Sequence, residues 1–411
     1  MNLIVDNRFP GAKSLRCVDL TRQLFDNSTP LPWTIGYGSE TAPVPEPTAH
    51  TPTEALKMER VQLPSPIFTF QGSASALNEP CKVDCFPLAD GKIFWSYQSR
   101  RCFLFDVKTR HLRFMPSLHK PKWMPFSVFI PKADADANHE DCGRSLFIME
   151  KIPEPEAVSS MQCSPQFEAF VYRKPALTYA SKSWHLQLLP PPPFVRDPKY
   201  RQICPEISSY TVLDGGKLIC ISVDRVGSYC LDTENHTWSK LGTWTLPFHG
   251  KVEYVPDLNL WFGLSAKDRQ LAAADLSAMD SQPQLTRTLK QLDVPEEWKE
   301  CKDSQFVYLG SGRFCIARFF HALTLNHDSV DDCGQIFTVF TGVEVVPPVS
   351  KASGNASSSG KGVELQMIPR KSLEEVHPRS GFSYGLKELL RSFKLIHLDV
   401  WGIHGLMPIW V

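Results

Sequence analysis

An all-β fold is predicted: a single β-propeller of about six four-stranded blades, closed by an N-terminal strand and followed by an irregular, partly helical C-terminal tail. Three observations carry the prediction. A phrase of mostly apolar residues ending in aspartate recurs as Leu15-Arg16-Cys17-Val18-Asp19, Phe103-Leu104-Phe105-Asp106, Tyr229-Cys230-Leu231-Asp232 and Ala272-Ala273-Ala274-Asp275. The step from Asp19 to Asp106 is 87 residues, from Asp106 to Asp232 126, and from Asp232 to Asp275 43. These are close to two, three and one multiples of about 43, a spacing at which propeller blades repeat. Finally, 25 Phe and 34 Pro in 411 residues suit many short strands separated by turns.

Taken in chain order, the Asp19 phrase lacks a preceding strand pair, and Lys57 to Pro64 beyond it resembles a fourth strand running into proline. The N-terminus is therefore expected to supply the outer strands of a blade whose inner strands come from the end of the chain, hiding its edges. Between these two segments lies a Pro/Thr-rich insertion at 27–54, expected to be flexible. A blade over 81–118 runs through Lys82 to Pro87, the turn Ala89-Asp90-Gly91-Lys92, Ile93 to Trp95, Arg101 to Asp106 and Leu112 to Phe114. A looser blade over 126–190 has strands at Ser127 to Ile130, Ser145 to Met149, Glu168 to Tyr172 and Trp184 to Leu189, with an insertion at 151–165.

The blade over 206–247 is the clearest. It has Ile207 to Leu213, a turn at Gly215-Gly216, Leu218 to Val223, Ser228 to Asp232 and a fourth strand opening at Thr237-Trp238. One over 249–293 follows, with Lys251 to Val255, Leu260 to Leu264 and Leu271 to Asp275. The last, over 304–346, has Gln305 to Leu309, Phe314 to Arg318 and Ile336 to Phe340, while its fourth strand leaves no clear signal. The propeller is thus assigned to 1–346, a Ser/Gly-rich linker to 347–363, and a tail to 364–411. Within the tail, Leu386, Leu389, Leu390, Phe393 and Ile396 have helical spacing and predict a helix at 383–396.

Lys+Arg and Asp+Glu both number 44, so nothing in the bulk charge points to nucleic acid or an anionic membrane as partner. Twelve cysteines without a disulfide-framework spacing, five of them (Cys17, Cys102, Cys220, Cys230 and Cys315) in apolar runs, predict buried free thiols and a reducing compartment. Met1 to Asp6 turns polar too quickly for a signal peptide, and no apolar run reaches the roughly 18 residues of a spanning helix. An intracellular monomer, cytoplasmic or nuclear, is expected. The glycosylation-type triplets at Asn27, Asn235 and Asn355 are then unused.

Chemistry finds little purchase. Gly354 to Gly362 resembles a phosphate loop, but it has five residues between its glycines and Gly362 where a hydroxyl is needed, so it reads as linker. Cys81 and Cys85 have no second ligand pair at zinc spacing. His321 and His327, near Asp328, Asp331 and Asp332, read as a solvated loop. Asp134, Asp136, His139, Glu140 and Asp141 lack the glycine and closing glutamate of a calcium hand. The four phrase aspartates, Asp19, Asp106, Asp232 and Asp275, are expected to accept backbone N–H bonds in the turn after each third strand. Trp95, Trp184, Trp238, Trp244 and Trp261 are expected to fill gaps between blades, and Pro190 to Pro193 to form a stiff connector rather than a recognised polyproline segment. No catalytic, cofactor-binding or metal residue is assigned, and no cofactor.

Trp184 to Pro193, Trp244 to Tyr254, Leu15 to Leu20 and Leu260 to Ser265 resemble a plant family of uncharacterised Kelch-like proteins, expanded in cereal grasses and carrying a domain of unknown function. The resemblance covers roughly residues 1–345 and implies a Kelch-like or galactose-oxidase-like propeller, with no activity or catalytic residue to carry over. The expected function is a non-enzymatic protein-interaction scaffold, using the long loops 27–54, 131–143 and 151–165. A ubiquitin-ligase component is among the partners considered. The alternative is a small-molecule or carbohydrate-binding or -modifying enzyme that uses the propeller channel.

Overall fold

The structure is a computed structural model that describes residues 2–6, 12–26, 58–71, 82–88, 91–131, 144–157, 162–173, 182–290, 294, 298–322, 335–346, 365–376 and 393–396. The described part is built almost wholly of antiparallel strands. The first group is β1 (Asn2–Asp6), β2 (Ala12–Cys17), the six-residue helix α1 (Leu20–Phe25), β3 (Glu59–Arg60) and β4 (Phe68–Gln71). Next come β5 (Val83–Leu88), β6 (Lys92–Tyr97), β7 (Cys102–Asp106) and β8 (Leu112–Met115). They are followed by β9 (Pro125–Ile130), β10 (Ser145–Glu150), β11 (Ser164–Arg173) and β12 (Ser183–Leu189).

The central strands are β13 (Ile207–Leu213), β14 (Leu218–Val223), β15 (Gly227–Asp232) and β16 (Trp238–Gly242). After them lie β17 (Phe248–Val255), β18 (Leu260–Ser265), β19 (Leu271–Ala274) and β20 (Leu285–Thr288). The C-terminal strands are β21 (Trp298–Gly310), β22 (Arg313–Ala322), β23 (Gln335–Val346), β24 (Gln366–Val376) and β25 (Phe393–Ile396).

The expectation of one closed ring of about six four-stranded blades is overturned by the strand pairing. The described strands form five sheets, ordered β25-β1-β2-β4, β5-β6-β7-β8, β12-β11-β10-β9, β16-β15-β14-β13-β17-β18-β19-β20 and β21-β22-β23-β24-β3. None of them closes on itself, and two depart from four strands. The eight-stranded sheet has a local cause. The register of β17 against β18 shifts between His249 and Val252, a bulge at which Gly250 takes φ +74° and ladder groups are released from β18. Gly250 and Lys251 pair instead in parallel with Ser209 and Tyr210 of β13. The five-stranded sheet arises because β3 pairs in parallel with β24, Glu59 opposite Leu373 and Arg60 opposite Glu374.

The ends of the chain also differ from expectation. Strands β1 and β25 pair antiparallel, Asn2 opposite Ile396, which brings Asn2–Asp6 and Phe393–Ile396 into one open four-stranded sheet without closing a ring. Phe393–Ile396 is therefore strand where the end of a helix is predicted, while 383–392 and 397–411 lie outside the described residues. Beyond the predicted end of the repeats at 346, β24 adds to the same sheet as β23. The insertion 27–54 and the linker 347–363 also lie outside the described residues.

Burial explains the sequence pattern. Separate apolar clusters fill the spaces between neighbouring sheets. One contains Phe86, Phe94, Leu104, Leu146, Ile148 and Phe170, from the β5–β8 and β9–β12 sheets. Another contains Phe147, Phe167, Ala169, Ile219, Ile221 and Leu231, from β9–β12 and the β13–β16 strands. Because the β9–β12 sheet is covered on both faces, Phe167, Ala169 and Phe170 are all buried on β11 and simple alternation gives way to a near-continuous apolar run. Polar side chains caught in that run need partners inside the protein.

Candidate functional site

The connector between β8 and β9 carries Leu118-His119-Lys120-Pro121-Lys122-Trp123-Met124. Leu118 is buried, and its N–H donates to Arg100 O at 3.0 Å, which pins the connector to the β5–β8 sheet. At the other end Met124 has φ +46° and its carbonyl accepts the Lys151 N–H at 3.3 Å, which pins it to the end of β10. Held at both ends, the connector turns Lys122 inward between the two sheets.

What it meets there is Glu168 of β11, whose side chain is 0% exposed. Lys122, at 1% exposure, donates from Nζ to Glu168 Oε1 and to the Pro165 carbonyl. The His119 N–H donates to both Glu168 oxygens at 3.3 and 3.2 Å, and His119 Nδ1 lies 2.6 Å from Oε2. Burial pulls the Lys122 ammonium below its usual range, and Glu168 opposes that fall. Beside them Glu150 pairs with Lys120 at 3.1 Å and accepts the Trp123 N–H at 3.4 Å. Burial pushes the Glu150 carboxyl up, against the pull of Lys120. Burial likewise pushes the nearby Cys102 thiol up to about 12, so it is no thiolate nucleophile near neutral pH.

Above these pairs opens a cleft of about 250 Å³ lined by Lys82, Asp84, Tyr97, Lys120, Trp123 and Glu154, among others. Lys82 Nζ lies 3.5 Å from Asp84 Oδ1 and 5.8 Å from the centre of the Trp123 ring. Trp123 itself is 54% exposed. The Glu154 wall is braced from behind: its N–H donates to Gln166 Oε1 at 2.6 Å, and Gln166 Nε2 donates to Glu154 O at 2.9 Å and Glu156 Oε1 at 2.8 Å. The cleft is thus a recess with opposite charges paired along its floor and an aromatic ring at its rim.

A second charged group joins strands from two sheets and the end of a third. Lys151 lies 2.6 Å from Glu206 Oε1 and 3.9 Å from Asp303 Oδ2, and His249 Nε2 lies 3.1 Å from the same Asp303 oxygen. The hydrogen bond from His249, then the charges of His249 and Lys151, hold the Asp303 carboxyl at about 2 against the opposing effect of burial. Its chemistry is that of a surface tie between elements.

The residues singled out in the sequence fall out as follows. Asp106 Oδ1 accepts the N–H groups of Lys108 and Thr109 at 3.0 Å each, and Asp232 Oδ1 those of Glu234 and Asn235 at 2.9 and 2.8 Å. Asp275 Oδ1 accepts the Ser277 N–H at 2.8 Å. Asp19 plays the same part at a helix start, accepting the Arg22 N–H at 3.1 Å as the cap of α1. Trp95 packs between the first two sheets against Phe70 and Phe103, ring centres 4.8 and 5.2 Å away. Trp184 and Trp238 are partly buried against clusters between sheets, and Trp244 and Trp261 against a cluster between the two halves of the eight-stranded sheet. Pro191 and Pro192 are buried, and Pro190 O accepts the Trp238 Nε1–H at 2.9 Å, as a structural connector requires.

Cys102, Cys220, Cys230 and Cys315 are buried, but Cys17 is exposed, contrary to its apolar setting in sequence. Cys85 and His321 are buried in β5 and β22. Cys81, His327, Asp328, Asp331, Asp332, the group from Asp134 to Asp141 and Gly354 to Gly362 lie outside the described residues. Among the described residues no group of three or more His, Cys, Asp or Glu is placed to hold a metal ion, and no helix is long and apolar enough to cross a membrane. Sequence reasoning missed His119, Lys120, Lys122, Trp123, Glu150 and Glu168. A signal existed in Gln166 and Glu168, alternate polar residues inside the otherwise apolar run of β11.

A family profile described as "Protein of unknown function (DUF1668)" matches residues 1–376. The chain belongs to the DUF1668 family. The search of curated proteins finds no match. Among solved structures the chain is similar to a Bacteroides uniformis protein named as a candidate 6-phosphogluconolactonase, at 13% identity and a TM-score of 0.33, covering 55% of this chain and 60% of that one. It is also similar to the β-propeller domain of Cps50 (Swd1) from Myceliophteria thermophila, at 12% identity, 61% and 68% coverage and a TM-score of 0.30. Citrobacter koseri AztD aligns at 10% identity over 76% and 77%, with a TM-score of 0.28. The DUF1668 chain thus spans about three fifths of the length of the first of these structures, and likenesses at such TM-scores place no feature on it.

Proposed function

We propose that this DUF1668 protein is a non-enzymatic interaction protein that offers the Trp123 cleft to a segment of a partner protein. The carrying observation is an exposed tryptophan, 54% accessible, at the rim of a recess whose lysines are already paired with carboxylates. Lys122 with Glu168, Lys120 with Glu150 and Lys82 with Asp84 pair every cation of the recess, and Glu154 adds one more carboxylate to its lining. General acid–base or nucleophilic chemistry needs a group whose proton or electron pair can be given to a substrate, and the most deeply buried groups here spend theirs on one another. Recognition needs a rigid frame with an aromatic anchor, and tryptophan is enriched where binding energy concentrates. Glu154, in the stretch 151–165 expected to bind partners, lines the recess. The nine described cysteines are free, which supports an intracellular, reducing setting for this reading.

The test is affinity capture with three forms of the full chain. Trp123→Ala should lose the specific partner retained by the native chain, while Phe114→Ser, altering an exposed ring on β8, should keep it. Capture unaffected by Trp123→Ala contradicts the reading. So does a turnover of a small molecule that Trp123→Ala abolishes.

A further inference from the structure

We propose that Cys220 and Cys230 form a redox-active dithiol, which closes to a cross-strand disulfide on meeting an oxidant of the hydroperoxide or small-molecule disulfide class. The two lie directly opposite each other on β14 and β15. Their relation can be read from the flanking hydrogen bonds. The Thr233 N–H donates to Lys217 O at 2.9 Å, so that pair is hydrogen-bonded. Counting inward through Leu218 opposite Asp232 and Ile219 opposite Leu231, the alternation makes Cys220 and Cys230 a non-hydrogen-bonded pair. The other side of β15 agrees. The Asp232 N–H donates to Thr237 O at 2.9 Å, which turns the backbone groups of Cys230 toward its partner Ser239 on β16.

Side chains approach most closely in such pairs, with Cα atoms about 4.5 Å apart. That falls inside the range of about 4.4–6.8 Å spanned by disulfides. The two thiols face each other closely enough for one to hydrogen-bond to the other. Either sulfur can attack first, Cys230 for instance, with the same net result. Both sit in the apolar cluster with Leu213, Leu246, Phe248 and Ala272, at 0% and 2% exposure. Local opening of the β14–β15 hairpin therefore admits the oxidant, and closure of the sheet holds the two sulfurs together.

The chemistry balances without any further group. With a small-molecule disulfide, the Cys230 thiolate attacks one sulfur and expels a thiolate, leaving a mixed disulfide. Cys220 then attacks the Cys230 sulfur and expels the second thiolate, so two protein thiols are oxidised and one disulfide is reduced to two thiols. With a hydroperoxide, the Cys230 thiolate attacks the terminal oxygen, the O–O bond breaks and the alcohol leaves, giving the sulfenic acid; Cys220 then attacks that sulfur, forms the disulfide and expels the oxygen as water.

The probe is oxidised glutathione, added to the reduced, folded full chain, followed by alkylation under denaturing conditions and tryptic peptide mapping. Peptide 218–225 should appear linked to peptide 226–240, and the link should vanish on reduction and in Cys230→Ser. Exposed Cys17 and Cys204 report that the oxidant has acted. If they carry glutathione while Cys220 and Cys230 both carry the alkyl label, the proposal is overturned. It is equally overturned if the linked peptides form only in denaturant.

Discussion

Glu168 and Lys122 illustrate how a single buried charge dictates its surroundings. Each is costly inside the protein alone, because burial strips its water, and each is tolerable with the other in contact. Removing one partner is far more damaging than removing both. Glu168→Leu is expected to cost about 3–5 kcal/mol, while Lys122→Met combined with Glu168→Leu should recover much of that loss. Urea unfolding of the three chains measures it, and a double variant less stable than the single one contradicts this view of the pair. The acidic signal in β11 was visible in the sequence, but its partner 46 residues away was not, because nothing local links a connector lysine to a strand glutamate.

A second residue sets a pH dependence. Burial pushes the Glu375 carboxyl up to about 7 from its ordinary 4.5, with Arg16 pulling the other way. The folded state then holds its proton more tightly than the unfolded state. The stability this group contributes is therefore complete below about pH 4.5 and is lost as pH rises through about 7. Glu375→Gln should flatten that part of the stability curve between pH 5 and 8. An unchanged slope in thermal melts across this range would show that Glu375 is not its source.

At the scale of elements, the turn role expected of Asp106, Asp232 and Asp275 is present because its physics is local, whereas Asp19 caps a helix. Asp106, Asp232 and Asp275 each accept N–H groups two or three residues on, so strand, turn and next strand are specified within a short stretch of chain. The β14–β15 hairpin depends on another local device. Gly227 has φ +125°, and a Cβ there would strike the Gly242 carbonyl of β16. Gly227→Ala is expected to destabilise by about 1–3 kcal/mol from the backbone conformation alone, with the clash adding to it. Hydrogen exchange should show the loss first in β14 to β16, and protection equal to the native chain there would contradict the assignment. The bulge at His249 to Val252 was not legible, since a glycine in a strand does not announce where its freed backbone groups will pair.

For the whole molecule, the strand segments are legible in the sequence but the period of about 43 and the assembly are not: the 126 residues from Asp106 to Asp232 take in two four-stranded units where that period counts three. Lateral joining depends on backbone groups at unit edges, as in the parallel contacts of β13 with β17 and β3 with β24, and no residue type marks such edges. The cleft belongs to this scale too. Its walls come from β5, β6, the β8–β9 connector, the end of β10 and the stretch after it, which meet only when two sheets pack. The proposed function puts a partner protein in this recess. The most direct measurement is hydrogen exchange of the full chain with and without its captured partner. The expected result is added protection confined to residues 82–84, 96–98, 120–123 and 150–154. Protection that leaves these segments unchanged and falls instead around Tyr254, Asp257 and Tyr308 would contradict it.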